Sequence, residues 1–214
     1  HTAMNRTYGE SFITYDPRYQ TLEIHESYTR QKDGNIVKTP DNAFVEVLPA
    51  AAANAPAFNA LREMVVVHTG LELGATVYLD YSITSKPGYL PEINVCRQLE
   101  QSSPVKEYEI SITVPQGQRL EYALDNLKSK PLITEKEGMK QVSWVLKNLP
   151  ALSREPQVSV IGGELPLLTA TTEQKPMAFL FAQWEREADA RLRTLAGKLT
   201  AGAKSDEEKV KAVH

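Results

Sequence analysis

Leu61 to Thr84 reads LREMVVVHTGLELGATVYLDYSIT, and the fold follows from how this stretch is read. In its second half Ala75, Val77, Leu79, Tyr81 and Ile83 fall on one face, with Thr76, Tyr78, Asp80, Ser82 and Thr84 on the other. A period of two marks a half-buried strand, because successive side chains leave a pleated backbone on opposite sides. Met64 to His68 is apolar on both faces until its last residue, so it is expected to run deeper in a sheet. Gly70 and Gly74 bound the stretch between, where the chain needs backbone angles that β-branched residues resist. The pair is therefore expected to be a hairpin that the rest of the chain covers or extends.

On the N-terminal side, Tyr8 to Tyr15 and Tyr19 to Tyr28 alternate like strands, split by Asp16-Pro17-Arg18, where proline pre-sets a turn. On the second of them Leu22, Ile24 and Glu26 face one way, and Thr21, Glu23, His25 and Ser27 the other. Lys32 to Asn35 is another turn signal. Thr39 to Phe58 breaks the pattern: prolines on both sides of Ala50 to Ala53 allow a single helical turn at most, so an ordered loop or short helix is expected. On the C-terminal side, Glu92 to Ser103 reads as irregular. Val105 to Val114, Arg119 to Leu124, and the pair Ile133–Glu135 and Lys140–Leu146 alternate again. Gln157 to Ile161 is a further expected core strand, and Leu167 to Thr172 an extended piece. About ten short strands separated by turns argue for an all-β sandwich.

The composition then changes. Apolar residues at Met177, Leu180, Phe181, Trp184, Ala188, Leu192, Leu195 and Leu199 keep helical spacing. Gly202 stops that helix, and Ser205 with Glu208 forms a capping box for another that ends at His214. The fold expected is mainly β: a large antiparallel β-sandwich over residues 1–172, a linking helix over 173–202, and an opening helix of a further domain over 203–214. On this reading the natural chain continues beyond His214.

Bulk chemistry excludes some functions. With 24 Lys and Arg against 27 Asp and Glu, net charge −3, the chain has no basic excess for nucleic acid. No apolar run approaches ~20 residues, so no membrane span is expected. The lone Cys96 allows neither an internal disulfide nor a cysteine-rich zinc site.

DGNIVKTPDNAFVEVLP, LREMVVVHTGLELGATVYLDYSITSKPGY, SSPVKEYEISITVP and SDEEKVKAVH stand in this order along the chain. Together they resemble the β-rich domain of unknown function that precedes the transglutaminase-like core in many exported bacterial proteins. The first three span about Asp33 to Val114, and the fourth resembles the first helix of the papain-like core. The layout is also similar to the non-catalytic N-terminal domain of zinc aminopeptidases. The resemblance implies export or a periplasmic location, and a Cys-His-Asp triad in the downstream core. No triad residue falls on a position of this chain, since Asn94-Val95-Cys96-Arg97 lies inside the β region and does not match the core's nucleophile motif.

A thiol nucleophile at Cys96 needs a base in reach, and nothing in the spacing brings His25 or His68 to it; a small, partly buried filler is the commoner fate of such a cysteine. His25, His68, Glu23, Glu26 and Glu72 are metal-ligand types without a His-Glu-x-x-His helix, so no metal site, catalytic residue or cofactor is assigned. His68, Tyr78 and Tyr89 are the candidates for a binding face, weighed against a polar strand end and ordinary strand tyrosines. The function expected is a non-catalytic accessory domain that positions a peptide or cell-envelope substrate for the core that follows. The alternative is a stand-alone peptide- or glycan-binding module.

Overall fold

Alternating apolar and polar residues produce twelve strands among the described residues, every pairing antiparallel. The computed structural model describes residues 9–52, 54, 60–86, 93–99, 103–151, 165–172 and 190–213. The chain divides into two compact units, His1–Pro91 and Glu92–His214. It is mainly β, as its sequence predicts.

In the first unit β1 (Glu10–Tyr15), β5 (Arg62–Val67) and β4 (Phe44–Val47) make one sheet in the order β1-β5-β4. The apolar β5 is its central strand, and Val66 is fully buried beside Ile13. Tyr15 donates its phenol to Glu46, whose carboxylate also pairs with Arg62 at 3.6 Å, so one polar contact ties all three strands. The turn after β1 is held by Asp16. Its carboxylate takes the Arg18 guanidinium at 2.8 and 3.1 Å, which keeps Asp16 below the usual carboxylate range, and its carbonyl accepts from the Tyr19 and Gln20 amides.

The second sheet contains β3 (Ile36–Lys38), β2 (Gln20–Arg30) and β6 (Thr76–Ser85), in the order β3-β2-β6. This corrects the expected hairpin. β5 and β6 are not paired; they belong to different sheets, and residues 68–75 cross between them. The crossing is pinned to the β2–β3 turn by Gln31, which donates to the Gly70 carbonyl at 3.1 Å, and by Glu72, which accepts from the Lys32 amide at 2.7 Å. Gly70 has φ +72, and a Cβ there would lie 2.8 Å from Val37 on β3. Gly74, φ +89, supplies the second tight bend.

β2 contains a bulge between Ile24 and Glu26, so that Ile24 opposes Tyr81 while Glu26 opposes Asp80. The extra residue is His25. It reverses the alternation: Leu22 and Ile24 share their face with Ser27 and Thr29, not with Glu26. Thr39 to Phe58, expected to be an ordered loop or short helix, contains β4 and two 3-10 turns, Asp41–Ala43 and Ala50–Ala52.

In the second unit β10 (Leu132–Lys136), β11 (Met139–Leu149) and β8 (Val105–Pro115) form one sheet, and β7 (Asn94–Gln98), β12 (Leu167–Thr171) and β9 (Glu121–Asp125) another. Inward residues of both make one core of Ile112, Val114, Val142, Trp144, Leu146 and Leu168 with their neighbours. Tyr122 of one sheet meets Trp144 of the other edge-on, ring centres 5.5 Å apart. Each such fully buried side chain contributes ~1.5–3 kcal/mol. The β10–β11 turn places Glu137 and Gly138 at positive φ, as a two-residue hairpin turn requires.

One reading is corrected here: Asn94 to Gln98 is a regular strand, not an irregular segment. Leu167 to Thr171, expected to be extended, is the buried central strand of its sheet. The strand expected at Gln157 to Ile161 lies outside the described residues, as does the predicted helix before Ala190. Helices α1 (Ala190–Thr200) and α2 (Asp206–Val213) close the described chain. Ser205 Oγ accepts from the Glu208 amide at 3.2 Å, as a cap should, but the Glu208 carboxylate reaches the Lys204 amide, one residue earlier than a capping box requires.

Candidate functional site

His68 follows β5 and is 5% exposed. Its Nε2 lies 2.8 Å from Ser11 Oγ on β1, its backbone amide donates to the Gly9 carbonyl, and Nδ1 has no partner among the described residues. Burial alone pushes its pKa down, because a charged imidazole there would lose its water. Tyr78 is on the other sheet of this unit, 41% exposed, with its ring stacked on Tyr28 at 4.8 Å. The Asp80 carboxylate, then partial burial, then Glu26 and Tyr28 raise the Tyr78 phenol. Tyr89 lies outside the described residues. The structure therefore places His68 and Tyr78 on separate sheets.

Cys96 is exposed on β7, not the partly buried filler expected. Its cross-strand neighbour is Thr169, and the second unit contains no histidine among its described residues. Among the described residues of that unit no imidazole is present to activate the thiol. No three His, Cys, Asp or Glu side chains converge on a cation position among the described residues. None of the described helices is long and apolar enough to cross a membrane.

The surface feature that sequence reasoning missed is an open cleft of about 740 Å³ in the first unit, bordered by both of its sheets. Ile24 and Ile36 line it from one sheet, Phe44 and Met64 from the other. Glu26, Lys38 and Asp80 supply its charges. The cleft follows the edge of β2 where β3 stops short. Thr39 donates its amide to the Ser27 carbonyl at 3.1 Å, the two hydroxyls meet at 2.7 Å, and Pro40 then has no N–H to continue the ladder. Pro40 was the one signal available in the sequence, since the bulge at His25 leaves no composition cue. Pro40 ends local regularity, but only the tertiary fold puts it beside the bulge and the apolar strands.

These features define a β-rich protein with a two-sheet cleft, whose one thiol, Cys96, has no histidine among the described residues of its own unit. Residues 1–153 match the DUF3857 model, a domain of unknown function with a solved structure, and the chain belongs to that family. Its whole length also matches the crystal structure of a "putative protease" from Parabacteroides distasonis, at 51% identity and a TM-score of 0.85. The chain spans 43% of that protein's length. No curated protein matches it.

Proposed function

We propose that this chain is the non-catalytic, substrate-positioning part of a larger transglutaminase-like or cysteine-peptidase-like protein. Residues 1–172 would present substrate, 173–202 would link, and 203–214 would open the downstream core. The observation that carries this reading is its full-length match to less than half of a larger chain described as a protease. The lack of any histidine among the described residues of the unit that contains Cys96 supports it. Peptide or cell-envelope material is the substrate class, and export to the periplasm belongs to the same reading.

The coding sequence beyond His214 tests it. The expected result is an open frame that reaches a cysteine at a helix start, with a histidine and an aspartate on later strands. A stop codon directly after His214 overturns the accessory role. The second reading, a stand-alone peptide- or glycan-binding module, would then stand on the cleft alone.

A further inference from the structure

We propose that the open edge of β2, Leu22 to Ser27, is a docking edge for an extended peptide segment that carries an arginine or lysine. This rests on the reading of the chain as a substrate-positioning domain and names the chemistry it would hold. Three observations converge on the one place.

The first is the edge itself. β3 pairs with β2 only from Tyr28 to Arg30, followed by the single rung from Thr39 to Ser27. Among the described residues, the rest of β2 is paired on its β6 side alone. Such an edge presents backbone donors and acceptors at strand spacing, and an extended peptide satisfies them by adding as a further strand.

The second is what borders the edge. An added strand points alternate side chains to opposite sides. One set would enter the cleft beside Ile24, Phe44 and Met64. The other would stand on the opposite face of the sheet, where Ile36 and Lys38 lie next to Tyr28 and Tyr28 is stacked on Tyr78.

The third is charge. Glu26 and Asp80 oppose one another across β2 and β6, and neither meets a cation among the described residues. Like charges directly opposed in a sheet are destabilising, and a cation from outside would relieve them. Lys38, opposite Tyr28, is the cleft's one lysine or arginine among the described lining residues, and His25 on the bulge is engaged with Ser82 at 3.0 Å. Two carboxylates beside a stacked tyrosine pair suit a guanidinium, which combines a planar fork with attraction to a ring face.

The test uses the 214-residue chain and a short fluorescein-labelled peptide that alternates valine and threonine around one arginine. Fluorescence polarisation should show saturable binding that weakens with salt. The same peptide with glutamate in place of arginine should bind about tenfold more weakly or worse. N-methylation of its backbone amides should cost at least about tenfold, since it removes the added-strand hydrogen bonds. Hydrogen exchange should slow at Leu22 to Ser27 only when the peptide is present. The exposed pair Glu26→Gln with Asp80→Asn should keep the fold by circular dichroism and lose the preference for arginine over glutamate.

Several results would overturn the proposal: no binding, equal binding of the N-methylated peptide, equal binding of both charges, or protection at other amides. Protection of Leu22 to Ser27 that rises with protein concentration and needs no peptide would assign the edge to a second copy, and would overturn it too. Any of these leaves the reading frame beyond His214, and so the accessory reading, unaffected. A stop codon there would leave peptide binding to stand by itself.

Discussion

A single buried imidazole makes the first unit pH-sensitive. His68 is neutral in its buried setting and would have to shed its surroundings to become charged. Its folded pKa is lowered, so below the ordinary value of about 6.5 the unfolded chain takes up a proton that the folded one resists. Stability is therefore complete above that value and falls as pH drops from it toward the folded pKa. His68→Gln keeps a polar side chain toward Ser11 and removes the titration. Urea midpoints measured from neutral to mildly acid pH should fall less steeply for the variant, and identical slopes would show that His68 does not set them. Little of this was legible in the sequence. Val65-Val66-Val67 announced a buried strand, but only the pairing of β1 with β5 places Ser11 against His68. Trp144 was different, since Val142, Trp144 and Leu146 already shared one face, and all three are core.

Among the elements, strand periods were legible and strand partners were not. The alternation on β8 appears in its burial as it reads in the sequence, because a pleat fixes side-chain direction locally, whereas on β6 it holds through Leu79, after which Tyr81 and Ile83 are exposed. Partnership is decided by which edges meet, and the residues between β5 and β6 hold no short turn that would force a hairpin. Gly70 shows where the decision is made, because the crossing passes so close to Val37 that only a hydrogen fits. Gly70→Ala adds a Cβ at both a positive φ and a contact of 2.8 Å, and should cost ~1–3 kcal/mol. Gly34→Ala shares a positive φ, +91, with open space around it, so it should cost less, ~1 kcal/mol. Chemical denaturation of both variants checks the order, and equal losses would leave the Val37 contact without a part in it. The bulge at His25 was invisible for a related reason. An extra residue breaks parity without any composition cue, and Glu26 was consequently assigned to the wrong face.

At the scale of the whole molecule, the two units differ in what holds them. The described buried apolar residues of the first are few, Ile13, Ala43, Ala52 and Val66, and polar ties at Asp16, Glu46 and Gln31 do much of the joining. The second has a continuous apolar core around Trp144. Urea should therefore unfold the chain in two steps: far-ultraviolet circular dichroism declines first, and the fluorescence of Trp144, isolated in a Trp184→Phe background, follows. Coincident curves would mean that the units fold as one. The sequence indicated a β-rich chain but not this division, because strands of similar length and spacing fill both halves. The short β3 has one more consequence. Among the described residues every copy of the chain presents the same unpaired strand edge, and such edges invite copies to stack into fibres. Glu26 and Asp80 place two negative charges beside that edge on each copy, so identical molecules repel there while a basic segment is admitted. The charges that would draw a basic segment to the proposed edge would by the same sign disfavour pairing with a second copy.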